Sequence, residues 1–207
     1  MGTAGRVVGT LRIGMIPTVT AVHVPTALAG FRAQYPDARV ELEVGNSTDL
    51  IDAIRRGDLD IGMLGLREET QPTGVAARAL SRERLVVALP PQHPLAGRTR
   101  ITLADLAGET FADFPAGTSG RAQSDAAFAA AGLARDVAFE AGSASLILGL
   151  VAVGLAVSLL APGAIGGANS EVVAVPVSDG PIRVEYVAWD AVAPRRVAQA
   201  FLRGLAP

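Results

Sequence analysis

FRAQYPDARVELEVGNSTDLIDAIRRGDLDIGML, residues 31–64, reads in order as the end of a helix, a strand, a hydroxyl-rich turn, a short amphipathic helix and a second strand. Val40 to Val44 reads as a strand, while Leu50, Ile51 and Ile54 recur at helical spacing on one face. Gly57 sits where a left-handed residue closes a helix, and the apolar run that follows it returns as a strand. This succession is a βαβ unit, which builds a parallel sheet and leaves a ligand crevice outside the strands' carboxyl ends. The crevice, rather than a catalytic residue, is where function is expected.

The same rhythm extends outward from this stretch. Residues 10–16 form the expected first strand, followed by the turn Pro17-Thr18-Val19-Thr20 and a helix to about Tyr35, with Pro25 near its start. After a loop holding Pro72 and Gly74, the charged run at residues 81–84 leads into an apolar strand at 85–89. A turn at residues 91–97 and a capping pattern at 102–105 precede a short helix. Strand, turn and helix then recur twice: 110–114 with PAGTSG and a helix stopped by Gly132, then 137–140 with AGS and a helix from Ser143. Strands at 155–160, 172–177 and 183–189 complete the pattern, with a last helix placing Val197, Ala200 and Phe201 inward. Two strands, near Leu85 and Val173, are expected to connect one lobe to a second lobe inserted within it.

Composition narrows the functions open to such a chain. Half of its 207 residues are apolar yet only nine are aromatic, so the core must be aliphatic, as layered α/β packing requires. A net charge of -2 supplies no general attraction for nucleic acid. There is no Cys, which excludes disulfides, thiol nucleophiles and zinc-thiolate sites, and no Lys, which excludes phosphate-loop and Schiff-base lysines. Residues 141–170 carry no charged side chain, but Gly149, Gly154, Pro162 and Gly163 divide them into a buried helix, a turn and a strand rather than a membrane span. The start of the sequence lacks the pattern of a secretory leader, and a cytoplasmic location without membrane association is expected.

Four strand-to-helix turns share a chemical character. Thr18 and Thr20, Ser47 and Thr48, Thr118 and Ser119, and Ser143 and Ser145 each follow a strand. In parallel sheets such turns emerge on one edge, where helix amides and a partial positive charge favour an anionic or strongly polar ligand. For a single hydroxyl, capping its own helix is the ordinary explanation; the four together point to a site. Arg67 and Arg121 lie near these turns and suit a carboxylate, although a solvated surface role is commoner for either. His23 reads as a helix-surface residue and His93 as part of an exposed turn, and two such distant imidazoles make no metal site. Asp113, Glu140 and the other carboxylates show no acid–base pairing, and no nucleophile elbow or metalloprotease helix occurs, so no enzyme activity, cofactor or metal is expected.

LRIGMIP, the 31–64 stretch, HPLAG followed by LADLAGETF, FPAGTSGR and LVAVGLAVSLLAP together resemble the effector-binding domain of LysR-type transcriptional regulators. The resemblance implies an α/β fold of two Rossmann-like lobes joined by two crossover strands, like type II periplasmic binding proteins. It implies lobe I at residues 10–81 plus 177–207, lobe II at 82–176, a residual linker at 1–9 and an effector cleft between the lobes. Positions that it matches to effector contacts are Thr18, Val19, Ser47, Gly65, Leu66, Pro115, Ala116 and Thr118, to which the hydroxyl argument adds Thr20 and Ser143. Implied partners are a small-molecule effector, a second copy in a homodimer or tetramer, and DNA only through a winged helix-turn-helix domain that these residues do not contain. A solute-binding protein of a transport system is the alternative with the same fold.

Overall fold

The computed structural model describes residues 7–165 and 171–205. By its internal contacts the chain divides into two compact units. Residues up to Leu64, Gln71–Ser81 and those from Glu185 onward form the first, and Gly65–Thr70 with Arg82–Val184 form the second.

The first unit carries the βαβ pattern. β1 (Gly9–Met15) pairs in parallel with β2 (Ala38–Val44) on one side and with β3 (Ile61–Arg67) on the other. Strand order in the sheet is β2-β1-β3-β10-β4, with β4 at Ala76–Arg84 and β10 at Ile182–Trp189. Helix α1 spans Val24–Gln34 with Pro25 in its first turn, as expected, and α2 spans Ser47–Arg56. Asp49 in the first turn of α2 and Arg55 and Arg56 in its last complement the helix dipole, and Gly57, at φ 78°, sends its N–H back to the Ala53 and Ile54 carbonyls to close it.

Two glycines let α2 lie close on the sheet. Gly14 and Gly62 are register partners on β1 and β3. A Cβ on Gly14 would meet Leu50 at 2.4 Å and Leu59 at 2.5 Å, and one on Gly62 would meet Ile54 at 2.8 Å. Leu50 and Ile54, fully enclosed in this way, each contribute roughly 1.5–3 kcal/mol by burial. On the unit's other cluster, Phe31 stacks edge-on against Phe201 of α6 (Arg196–Gly204), whose inward Val197, Ala200 and Phe201 are the ones the sequence spacing indicates.

The second unit is less regular than a doubly wound sheet. β5 (Val86–Leu89) runs antiparallel to both β8 (Ser158–Leu160) and β9 (Val173–Pro176). β6 (Thr110–Asp113) pairs in parallel with β7 (Asp136–Glu140). α3 (Ser119–Ala130) follows β6 and ends at Gly132, φ 69°, while α4 (Ala144–Ala152) follows β7. The capping pattern at 102–105 closes only one 3-10 turn, Ala104–Leu106, where Asp105 accepts from both the amide and the hydroxyl of Thr102. The charge-free stretch resolves into α4, β8 and the single turn α5 (Pro162–Ile165), and among the described residues no helix is long and apolar enough to cross a membrane. Residues 166–170, which the sequence reading includes in that stretch, lie outside the described residues, as do 1–6 of the expected linker.

β4 departs from expectation. Residues 76–84 read as a loop and a charged run, yet they form a nine-residue strand. Its arginines place their charged ends beyond the sheet: Arg78 donates to the Leu205 carbonyl and Arg84 to that of Gly180, while Arg82 pairs with Glu68. Long stems of this kind let a strand be charged in sequence while its charged ends find partners outside the ladder.

Candidate functional site

Because β1 and β2 are parallel neighbours, the turns that follow them leave the sheet at one edge. Thr18, Val19 and Thr20 lie in the first turn and Ser47 begins the helix after the second. The same holds in the other unit for β6 and β7, which bring the Pro115–Ala116–Thr118 turn and the Ser143 turn to one edge. Gly65 and Leu66 lie at the far end of β3, both buried.

The hydroxyls in these turns do different work. Thr118 caps α3, accepting from the Arg121 amide at 3.3 Å and donating to the Pro115 carbonyl at 2.8 Å. Ser143 caps α4, accepting from the Leu146 amide at 3.5 Å, with Ser145 Oγ 2.7 Å away. For these two the capping explanation accounts for the side chain. In the first unit it fails: α1 is capped by His23, whose Nδ1 lies 2.7 Å from Thr26 Oγ1, so neither Thr18 nor Thr20 caps it. Ser47 occupies the first helical position of α2 behind Asn46 at the cap and is fully buried. Thr18 is buried, and Val19 packs against both apolar clusters of its unit.

What Thr20 does instead was invisible in local sequence. Its amide donates to both carboxylate oxygens of Glu185 at 3.1 Å, its hydroxyl donates to Oε1 at 2.7 Å, and the Ala21 amide donates to Oε2 at 3.0 Å. Glu185 is the sole acidic residue of β10 and is 2 % exposed. An acidic residue interrupting the run IRVEYVAW is the available sequence signal, since a carboxylate in a buried strand requires donors from somewhere.

A second buried carboxylate ends β6. Asp113 Oδ1 accepts from the Phe114 amide at 2.7 Å and Oδ2 accepts from Arg135 Nη2 at 2.7 Å; the side chains are 2 % and 3 % exposed. Burial pushes the Asp113 carboxyl above its ordinary value, against the pull of Arg135. Arg135 also lies over the rings of Phe111 and Phe128, at 4.9 and 5.6 Å to their centroids.

The arginines have distinct situations. Arg121 is held by Asp125 at 2.9 Å and Glu140 at 2.8 Å, so its charge is already matched. Arg67 is exposed and, with Glu69, Gln123 and Pro181, lines a cavity of about 260 Å³ in the second unit. His93 is less exposed than its turn suggests: its ring is 13 % accessible, with Nε2 3.3 Å from Glu109 and Nδ1 accepting from the Leu95 amide.

Polar strand-to-helix turns on parallel strand pairs, repeated in two α/β units, define a class of ligand-binding module. The chain belongs to the LysR substrate binding domain family, whose family model matches residues 4–206. It is 32% identical over 182 residues to the uncharacterized HTH-type transcriptional regulator YybE of Bacillus subtilis, covering 87% of this chain and 61% of that protein. The transcriptional dual regulator GltC of the same organism is 32% identical over 152 residues, covering 73% of this chain and 50% of GltC. This chain thus spans about half to three fifths of the curated relatives it matches. Among solved structures, the regulatory domain of CcmR from Synechocystis PCC6803, in complex with 2-PG, superposes with a TM-score of 0.82 at 27% identity, covering 94% of each chain. The two-lobed α/β fold implied by the resemblance is therefore borne out, and the transport alternative finds no support among these relatives.

Proposed function

We propose that this chain is the ligand-sensing part of a LysR-type transcriptional regulator and binds a small polar or anionic metabolite through its strand-to-helix turns. The observation that carries the reading is the family match over residues 4–206 combined with turns that hold convergent amides and hydroxyls at the ends of parallel strands. That the CcmR regulatory domain is in complex with 2-PG supports a small-molecule ligand. The effector-contacting residues of this proposal are Thr18, Val19, Thr20, Ser47, Gly65, Leu66, Pro115, Ala116, Thr118 and Ser143.

Effector binding acts through linkage. A ligand that binds one arrangement of the protein more tightly shifts the population toward it by its difference in affinity. In the whole regulator, assembled in the cytoplasm as a dimer or tetramer, that shift alters DNA binding by an N-terminal helix-turn-helix domain. The chain itself is proposed to bind and release the effector without making or breaking covalent bonds, and without cofactor or metal.

A thermal-shift screen of organic acids, phosphorylated acids and their neutral analogues, followed by calorimetric titration of the hits, tests the reading. A ligand at 100 times its Kd raises stability by about 2.7 kcal/mol, well above detection. Preference for a wholly apolar compound, or no response to any polar metabolite, would overturn it.

A further inference from the structure

The donors gathered at residues 20 and 21 are of the kind that binding turns present to a ligand carboxylate: two backbone amides and a hydroxyl converging on one pair of oxygens. Here a side chain of the same molecule supplies the carboxylate. Glu185 reaches them from β10, which is separated from β1 in the sheet by β3. The amides precede α1, whose first turn is satisfied by His23, so they are not helix-cap donors that a capping residue would otherwise occupy.

We propose that Glu185 is a built-in occupant of the anion-binding donors in the turn after β1, and that this turn is thereby closed to an acidic group of the effector. A second anion placed there would have to displace a side chain held by four contacts, or lie against a buried negative charge. The turn consequently receives the parts of a ligand that donate hydrogen bonds, a hydroxyl or an ammonium, and any acidic group of the ligand is bound elsewhere. This narrows the ligand class of the reading above and rests on it; the tether between Glu185 and the turn does not.

Glu185→Ala deletes, beyond Cβ, a fragment equal to acetate. The 207-residue chain and its Glu185→Ala and Glu185→Asp variants are melted in sodium acetate, in acetamide and in sodium chloride of matched ionic strength. Acetate is expected to raise the midpoint of Glu185→Ala by about 2–4 °C more than that of the parent chain or of Glu185→Asp, with no response to acetamide. If Glu185→Ala does not fold in buffer alone, the same comparison is read as the soluble yield on refolding, which acetate but not chloride should restore. An acetate response in Glu185→Ala equal to that of the parent chain, or none at all, would show that removing the carboxylate frees no anion site in the turn; either overturns the proposal. Neither result depends on finding an effector, so a failure here and a failure of the metabolite screen remain distinguishable.

Discussion

Each unit buries a carboxylate beside a strand-to-helix turn, and the two are neutralised by different chemistry. Asp113 faces a guanidinium and one amide, whereas Glu185 is held by two amides and a hydroxyl. The first arrangement pairs full charges at 2.7 Å inside an aromatic shell, and although Arg135 also meets Asp125 at 2.7 Å, Asp113 depends on that guanidinium. The second distributes one charge over several dipoles, so losing a single donor leaves the rest in place. Charge pairing thus makes an anchor that fails all at once, and dipole pairing one that weakens by steps.

The largest expected effect comes from removing the guanidinium. Arg135→Met should destabilise the second unit by about 3–5 kcal/mol in urea denaturation, because it leaves Asp113 buried without its countercharge. Adding Asp113→Leu to that variant should recover much of the loss; an equal or greater loss would show that the pair holds the fold through something other than charge. Asp113 also has a pH signature. Its folded pKa is raised above the ordinary 3.8, so the folded chain holds the proton longer than the unfolded chain does. Its contribution therefore falls as pH rises from about 3.8 through the raised value, and Asp113→Asn should flatten the stability profile in that window.

The dipole-held carboxylate should respond more gently. Thr20→Val keeps the shape of the side chain and removes only the hydroxyl donor to Glu185, with an expected loss of about 1.5–3 kcal/mol for a bond to a charged acceptor. Amide exchange at Ala21 should quicken while that at Arg121, in the other unit, does not. Equal quickening at both would deny that the tether acts locally.

These differences explain which parts of the molecule were legible in sequence. α2, Gly57 and the inward face of α6 are set by residues within a turn or two of one another, so periodicity and left-handed glycine chemistry indicate them directly. β4 was hidden because its arginines look like a solvated charge run until the carbonyls they reach, at residues 180 and 205, are brought beside them by the fold. The same limit governs the site. Thr118 and Ser143, which the sequence reading assigns with the other turns to a site, find cap partners three residues away, but Thr20 finds its partner 165 residues away. A Thr beside a future helix looks the same in both cases, and only the long-range partner separates a cap from a tether.

The smallest effects fall on the caps, and their order is a test of the same distinction. Thr118→Ala removes an N-cap that both accepts and donates, which should lower stability by about 1 kcal/mol and quicken exchange at the Arg121 amide. Ser143→Ala removes a longer bond, 3.5 Å to the Leu146 amide, from a helix whose burial comes from Ile147, Leu148 and Val151, so about 0.5 kcal/mol is expected. Both losses should stay within the second unit and be independent of acetate. A Ser143→Ala loss as large as that of Thr20→Val would mean that Ser143 too is bound to something beyond its own helix, and the contrast between local caps and a long-range tether would then fail in the second unit.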